Sequence, residues 1–168
     1  MTWSLIEGLI VAVKTRLAAN LDAKLTALNA EYADGITLGP MVTRDSAMVI
    51  HLAPRSLESI QQFPIAFIIG GPTDVEYWNN TNTNGTHEIT VAIMDRDQDE
   101  EVLQKKIYRY ERALWECLVD GHFAAGLSGF RLVGSPRLDS SPILTAQSLS
   151  LGEARVTVNA VKQETRTP

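Results

Sequence analysis

Residues 86–121 decide the fold prediction, and they run THEITVAIMDRDQDEEVLQKKIYRYERALWECLVDG. In residues 87–94 the larger apolar side chains alternate with a period of two, which predicts a strand with one face more deeply buried than the other. After the acidic turn 95–99, apolar residues recur every three or four positions, which predicts an amphipathic helix that ends near Asp120. These apolar positions are Leu103, Ile107, Tyr110, Leu114, Cys117 and Leu118. The stretch therefore predicts a strand that leads into a helix packed on its own sheet.

Both ends of this helix carry a signal. Asp97 followed by Glu100 predicts a capping box, because the first carboxylate accepts from free first-turn amides and the second reaches back. Gly121 predicts the end, since glycine takes the left-handed conformation without steric cost. The acidic run 95–99 is not a calcium loop, because Glu100 and Lys106 stand where such a loop has Gly and Glu. We expect a helix cap here and no metal.

Composition bounds the class of protein. The chain has 168 residues, 45% of them hydrophobic and 21% charged, which is typical of one soluble globular domain. The net charge of −5 argues against nucleic acid as a bound partner, because such binding rests on Lys and Arg neutralising phosphates. The single cysteine, Cys117, is expected to be a small buried hydrophobe. Residues 1–13 are too short to span a bilayer and lack a basic leader, so we expect a cytoplasmic protein with no membrane partner.

The N-terminal third predicts a second amphipathic helix. Its apolar stripe has spacings of three and four, which favours one helix through Asn20 and Asp22, although these residues also leave a break open. The stripe consists of Trp3, Ile6, Ile10, Val13, Leu17, Leu21, Leu25 and Leu28.

The other segments predict strands and one short helix. Residues 56–63 have the pattern of a two-turn helix, and Gly152–Glu153 is expected to be the tight turn of a final hairpin. The further strands are expected at 47–52, 65–69, 130–133, 143–151 and 154–160. The predicted fold class is therefore α+β, a largely antiparallel sheet of five or six strands with the N-terminal helix and the long central helix packed on it. We expect a single domain over residues 1–162 and a flexible tail over 163–168.

A polar segment interrupts the middle of the chain. Residues 75–94 are expected to form a hairpin whose Asn/Thr-rich end, 79–85, is a mobile loop. One interpretation is a solvated loop without a role. The other is an arm that orders against a neighbouring subunit with Tyr77 and Trp78 as anchors, because aromatic side chains are enriched at interfaces.

The sequence gives no positive signal for catalysis. The three histidines, His51, His87 and His122, show no spacing that would place metal ligands on one element. Ser128 lacks the flanking glycines of a nucleophile elbow, and Gly70–Gly71 lacks the pattern of a phosphate-binding loop. We therefore expect no enzyme, no catalytic residues, no cofactor and no metal.

The polar face of the central helix is a candidate interface. It carries Glu101, Lys105, Tyr108, Arg109, Arg112 and Glu116. Such a face is either solvated or meets carboxylates of a neighbouring copy, and a ring of copies needs two different, complementary patches on each subunit. The candidate interface comprises Tyr77, Trp78, Asp95, Arg96, Asp97, Asp99, Lys105, Arg109 and Arg112.

The order of these elements resembles a known family. An N-terminal amphipathic helix, the strand 64–69, the strand 87–94, an acidic turn, a helix with Leu103, Ile107, Arg109–Tyr110 and Ala113–Leu114, and a final hairpin follow one another. This succession resembles the tail terminator, or tail completion, proteins of long-tailed bacteriophages.

The resemblance implies a structural virion protein at the tail–neck junction, assembled in the bacterial host cytoplasm. Such proteins form a homo-oligomeric ring, typically a hexamer, that caps the tail tube, stops its polymerisation and joins it to the head connector. DNA passes the lumen without specific binding. A head-side neck or connector completion protein is the first alternative, and a small enzyme or ligand-binding α+β domain with a pocket near the three histidines is the second.

Overall fold

Two helices and one sheet make up the described part of the chain. The computed structural model describes residues 5–42, 48–50, 62–77, 82–119, 130–146 and 149–165. In chain order the elements are α1 (Leu5–Tyr32), β1 (Met48–Ile50), β2 (Ile65–Tyr77), β3 (Asn82–Asp97), α2 (Glu100–Leu118), β4 (Arg131–Ala146) and β5 (Leu149–Thr165). The class is α+β, as the sequence predicts. The short helix predicted at 56–63 lies almost wholly outside the described residues.

The sheet has fewer and longer strands than the sequence predicts. Four strands, in the order β2-β3-β5-β4, pair antiparallel, and β1 adds a three-residue parallel pairing with residues 66–68 of β2. The prediction of five or six strands is wrong, because the antiparallel sheet has four strands and β1 adds only the short parallel pairing. One reason lies in β4, where register shifts after Val133 and after Ser141 absorb the breakers Gly134, Pro136 and Pro142 within one continuous strand.

Gly152 is a close-approach residue and not a turn. It lies inside β5, opposite Asp95 of β3, and the hairpin joins Ala146 to Leu149. A Cβ atom on Gly152 would come within 2.8 Å of Cγ1 of Ile107 on α2. The glycine is therefore where the helix presses on the sheet, and the turn predicted at residues 152–153 is wrong.

The hairpin β2–β3 is confirmed, but its end is more regular than expected. Tyr77 pairs with Thr83, and the strand register runs back to Ile65 opposite Met94. Residues 82–85, predicted to be part of a mobile loop, belong to β3 and pair with β5 as well as β2. β5 continues to Thr165, so residues 163–165 of the predicted tail belong to a strand.

α1 is one uninterrupted helix of 28 residues, because its apolar stripe is continuous. The polar residue Asp22 within it binds the chain that follows the helix. Oδ1 of Asp22 accepts from the backbone N–H groups of Met41 and Val42, at 2.7 and 3.0 Å. Asn29 likewise holds Leu38, donating to its carbonyl and accepting from its N–H. Asp22 therefore does not break the helix. Together with Asn29 it holds residues 38–42 against α1.

α1 and α2 cover the same face of the sheet. Odd-numbered residues of β3 and even-numbered residues of β5 point into a shared core with the helices, because strand side chains alternate between faces. The fully buried core side chains include Leu17, Leu21, Ile89, Val91, Ile93, Leu103, Ile107, Leu114, Val156 and Val158. Cys117 is buried in this core as predicted, and burial raises the pKa of its thiol to about 11.

Candidate subunit interface

The acidic turn between β3 and α2 separates three carboxylates into three different environments. Asp99 is the N-cap of α2, and its Oδ1 accepts from the N–H groups of Glu101 and Val102 at 2.8 and 3.1 Å. The cap is therefore Asp99, and the capping box predicted at Asp97 is wrong. The reason is that β3 runs on to Asp97, which leaves the helix to begin at Glu100.

Asp95 is buried beneath the first turns of α2. Its Oδ2 accepts from the hydroxyl of Tyr110 at 3.0 Å, and its Oδ1 accepts from the N–H of Arg96 at 2.8 Å. Desolvation by burial raises the pKa of Asp95 above its ordinary value. With 4% of its surface exposed, this carboxylate has little to offer another subunit.

Asp97 is tied to the same helix by an ion pair. Nζ of Lys106 donates to its Oδ2 at 2.7 Å and lies 3.9 Å from Oδ2 of Asp95. The hydrogen bond from Lys106 lowers the pKa of Asp97. One lysine of α2 therefore lies close to both carboxylates of β3.

Arg109 joins α2 to the end of α1 and to the segment that follows it. Its guanidinium donates to the carboxylate of Asp34 and to the carbonyl of Ile36, the latter at 3.2 Å, and lies 4.2 Å from the ring centre of Tyr32. The hydrogen bond from Arg109 lowers the pKa of Asp34. Since Arg109 is only 5% exposed, it holds the end of α1 against α2 and presents little surface to a neighbour.

Arg112 makes a second, exposed contact between the same helices. Its guanidinium donates to both carboxylate oxygens of Glu31, at 2.8 and 3.0 Å, and to Glu116 at 2.9 Å. Lys24 pairs with the other oxygen of Glu116 at 3.2 Å. The hydrogen bonds that Arg112 donates to Glu31, Tyr32 and Glu116 raise the pKa of Arg112. Both arginines of the predicted interface thus bind carboxylates of their own chain.

The other candidates remain predictions for an interface. Lys105 is exposed and pairs with Glu101 at 2.7 Å, and that hydrogen bond raises its pKa. Arg96 is exposed and lies 4.9 Å from the ring centre of Phe63. The backbone of Tyr77 ends β2, and Trp78 lies outside the described residues.

The sheet face opposite the helices carries polar side chains along its centre. Thr90 and Thr157 share a hydrogen bond of 2.9 Å across β3 and β5, and Arg137 pairs with Glu88 at 3.0 Å. A cleft of about 430 Å³ opens here between Glu88, Arg137, Asp139 and Arg155. Among the described residues, no histidine lines this cleft. His87 points into the core instead, with Nδ1 3.0 Å from the Thr73 hydroxyl, and His51 and His122 lie outside the described residues.

Both edges of the antiparallel sheet are long strands, which the sequence did not single out. Among the described residues, only residues 66–68 of β2 have a neighbour on the outer side, namely β1, and β4 has none. Asp74 and Glu76 are exposed on β2, and Arg131 is exposed on β4. The alternation of charged and apolar residues in β2 and β4 could have indicated strands with one exposed face. Only the strand order shows that these two strands form the edges.

Comparisons with known proteins find similarity among solved structures only. No protein family matches the sequence, and no curated protein matches it. Among solved structures, a chain from the virion of a native gene transfer agent (GTA) particle is similar, with a TM-score of 0.47 and 18% identity, over 95% of this chain and 99% of that chain. A likeness at this level concerns the course of the chain alone, so function has to be argued from the residues.

Two further properties concern the described residues alone. Neither α1 nor α2 combines the length and the apolar composition that crossing a bilayer requires. Within the same residues, no three His, Cys, Asp or Glu side chains converge as ligands for a metal ion.

Proposed function

We propose that this chain is a non-enzymatic structural protein of a phage-like virion, a tail terminator that assembles with itself into a ring. The elements that carry the sequence resemblance, from α1 through β2, β3 and α2 to the hairpin β4–β5, follow one another in the fold. In this proposal the ring, a hexamer, caps the tail tube, stops its polymerisation and joins it to the head connector.

The asymmetry of the sheet is the observation that carries the proposal. The helices cover one face, and the two ends of the antiparallel sheet are different strands, β2 and β4. A ring is built from head-to-tail contacts between two unlike patches, whereas a twofold dimer uses one patch twice. In the described part of the chain the sheet ends in two unlike edges that are largely without an outer neighbour, and such edges supply these patches because an edge strand presents unpaired backbone groups.

The charge of the chain supports a lumen through which DNA passes without specific binding. The net charge is −5, and a basic lumen would retain phosphates. The exposed basic side chains Lys105 and Arg112 are also paired with carboxylates of the same chain. The proposal therefore contains no nucleic-acid-binding step.

Assembly and capping are tested on the purified chain. Negative-stain imaging and light scattering should show a ring with an open centre, and adding the ring to polymerising tail-tube subunits from the same virion should halt growth and mark one tube end. A chain that stays monomeric at high concentration and leaves tube growth unchanged would refute the proposal. Co-purification with capsid vertices in place of tail tubes would assign the chain to the head side of the neck.

A further inference from the structure

One row of the sheet connects the two edges. Asp74 of β2 lies opposite Thr86 of β3, Thr86 lies opposite Val161 of β5, and Val161 lies opposite Arg131 of β4. Directly opposed residues project from the same face of a sheet, so the carboxylate at one edge and the guanidinium at the other share a face. Glu76 shares it too, because it lies two residues beyond Asp74.

The two edges have the polarity that end-to-end joining requires. The antiparallel sheet has an even number of strands, so β2 and β4 run in opposite directions. If a second copy continues the sheet in the same orientation, its β2 lies antiparallel to the first copy's β4. In an antiparallel contact alternate residues exchange hydrogen bonds, so the backbone N–H and C=O groups that point outward from each edge can all find partners on the other copy.

The rest of β2 limits where such a partner can sit. β1 occupies the outer side of residues 66–68, and the register shift between Gly70 and Thr73 contains Pro72, which has no N–H to donate. Among the described residues, the regular part of this edge that has no outer neighbour is therefore 73–77, where the exposed charged residues are Asp74 and Glu76. On β4, residues 131–133 form the matching regular segment before its own register shift.

We propose that β4 of one copy pairs with residues 73–77 of β2 in the next copy, and that Arg131 meets Asp74 and Glu76 across this seam. In this arrangement the strands run along the ring axis. Because a closed ring has no rise between neighbouring copies, residues of the same sheet row in two neighbouring copies lie at the same height. Arg131 then lies opposite Asp74 and diagonal to Glu76, both within reach of a long side chain. This inference rests on the proposed ring and names the contact that closes it.

Charge complementarity selects a second copy as the occupant. The exposed charges on the open part of β2 are both negative, whereas the end of β4 presents Arg131. Across the seam opposite charges attract, and two copies of the same edge would place like charges together. The edges therefore favour head-to-tail joining over pairing of identical edges.

The test uses two charge-reversed full-length variants. Arg131→Glu makes the β4 edge acidic, and the double variant Asp74→Arg with Glu76→Arg makes the β2 edge basic. Each alone places like charges across every seam, so the concentration at which half the chains assemble should rise about tenfold or more. Lys14→Glu, at an exposed position on α1, is the control with the same charge change as Arg131→Glu and should assemble like the wild type.

Mixing the two variants provides the decisive measurement. In an alternating ring every seam again joins opposite charges, so equal amounts of the two variants should recover rings that neither forms alone. Circular dichroism of each variant checks that it is folded.

Three results would overturn the inference: reversed variants that assemble like the wild type, variants that stay apart after mixing, or a Lys14→Glu control that loses assembly equally. If the wild type forms rings in those cases, the proposed function stands and the seam lies elsewhere. If the wild type never assembles, both proposals fall.

Discussion

Replacing Arg109 with Met removes the buried link from α2 to the end of α1 and the segment after it, while keeping an apolar stem of similar length. The substitution abolishes hydrogen bonds to Asp34 and to the carbonyl of Ile36, together with the stacking on Tyr32. Hydrogen bonds of charged groups contribute about 1.5–3 kcal/mol each, and a cation over an aromatic ring adds about 0.5–2 kcal/mol. Part of this sum is offset, because the guanidinium no longer loses its hydration on folding.

The expected net loss of stability for Arg109→Met is about 2 kcal/mol, less than the sum of the lost contacts because of that offset. For a chain of this length such a loss lowers Tm by about 4–8 °C. Thermal and urea unfolding followed by circular dichroism measure it. Arg112→Met is the matched control, because this arginine lies one turn further along α2 but is 42% exposed, and its Tm should stay close to that of the wild type.

The pH dependence supplies a second readout for Arg109. Because Arg109 lowers the pKa of Asp34, the ionised carboxyl stabilises the fold above its ordinary value of 3.8, and this stabilisation is lost as pH falls through the lowered pKa. The difference between wild type and Arg109→Met should therefore shrink in acid. Equal stability of the Arg109→Met and Arg112→Met variants, or a difference independent of pH, would refute the assignment of Arg109 as the buried link.

The remaining predictions concern the core and the acidic turn. Leu114→Ala should lower the free energy of unfolding by about 2–5 kcal/mol, because the side chain is fully buried beneath the sheet, and urea unfolding measures this. Asp95→Asn should gain stability relative to the wild type between acid and neutral pH. Burial raises the pKa of Asp95, so its contribution is present below 3.8 and is lost as pH rises through the raised value. Asp97→Asn should show the opposite trend, since Lys106 lowers the pKa of Asp97, and its contribution is present above 3.8 and is lost in acid. Parallel pH profiles for the two variants would contradict both assignments.

Local patterns identified the helices and the central strand. The apolar stripe of α1 predicted a continuous helix, and the spacing of Leu103, Ile107 and Leu114 predicted the buried face of α2. Periodicity succeeds here because one face of a helix or strand meets the core regardless of what lies opposite. Periodicity did not locate the ends of the elements. Asp97 and Asp99 can both cap the N-terminus of α2, and only the length of β3 shows that Asp99 is the N-cap.

The candidate interface was harder to predict, because its residues bind partners far away in the sequence. Arg109 is 75 positions from Asp34, and Arg112 is 81 positions from Glu31. No local pattern relates these residues, so the sequence did not show that Arg109 and Arg112 pair with carboxylates just after the end of α1 and within it.

The sequence by itself determined the helices, the central strand and the apolar faces, since these depend on residues within a few positions of one another. Only the tertiary structure decided the strand order, the use of Gly152 as a contact point and the partners of Arg109 and Arg112. It also placed Asp74 and Arg131 on one row at opposite edges of the sheet. Strand register and ion-pair choice depend on contacts between distant segments, and those form only when the whole core packs.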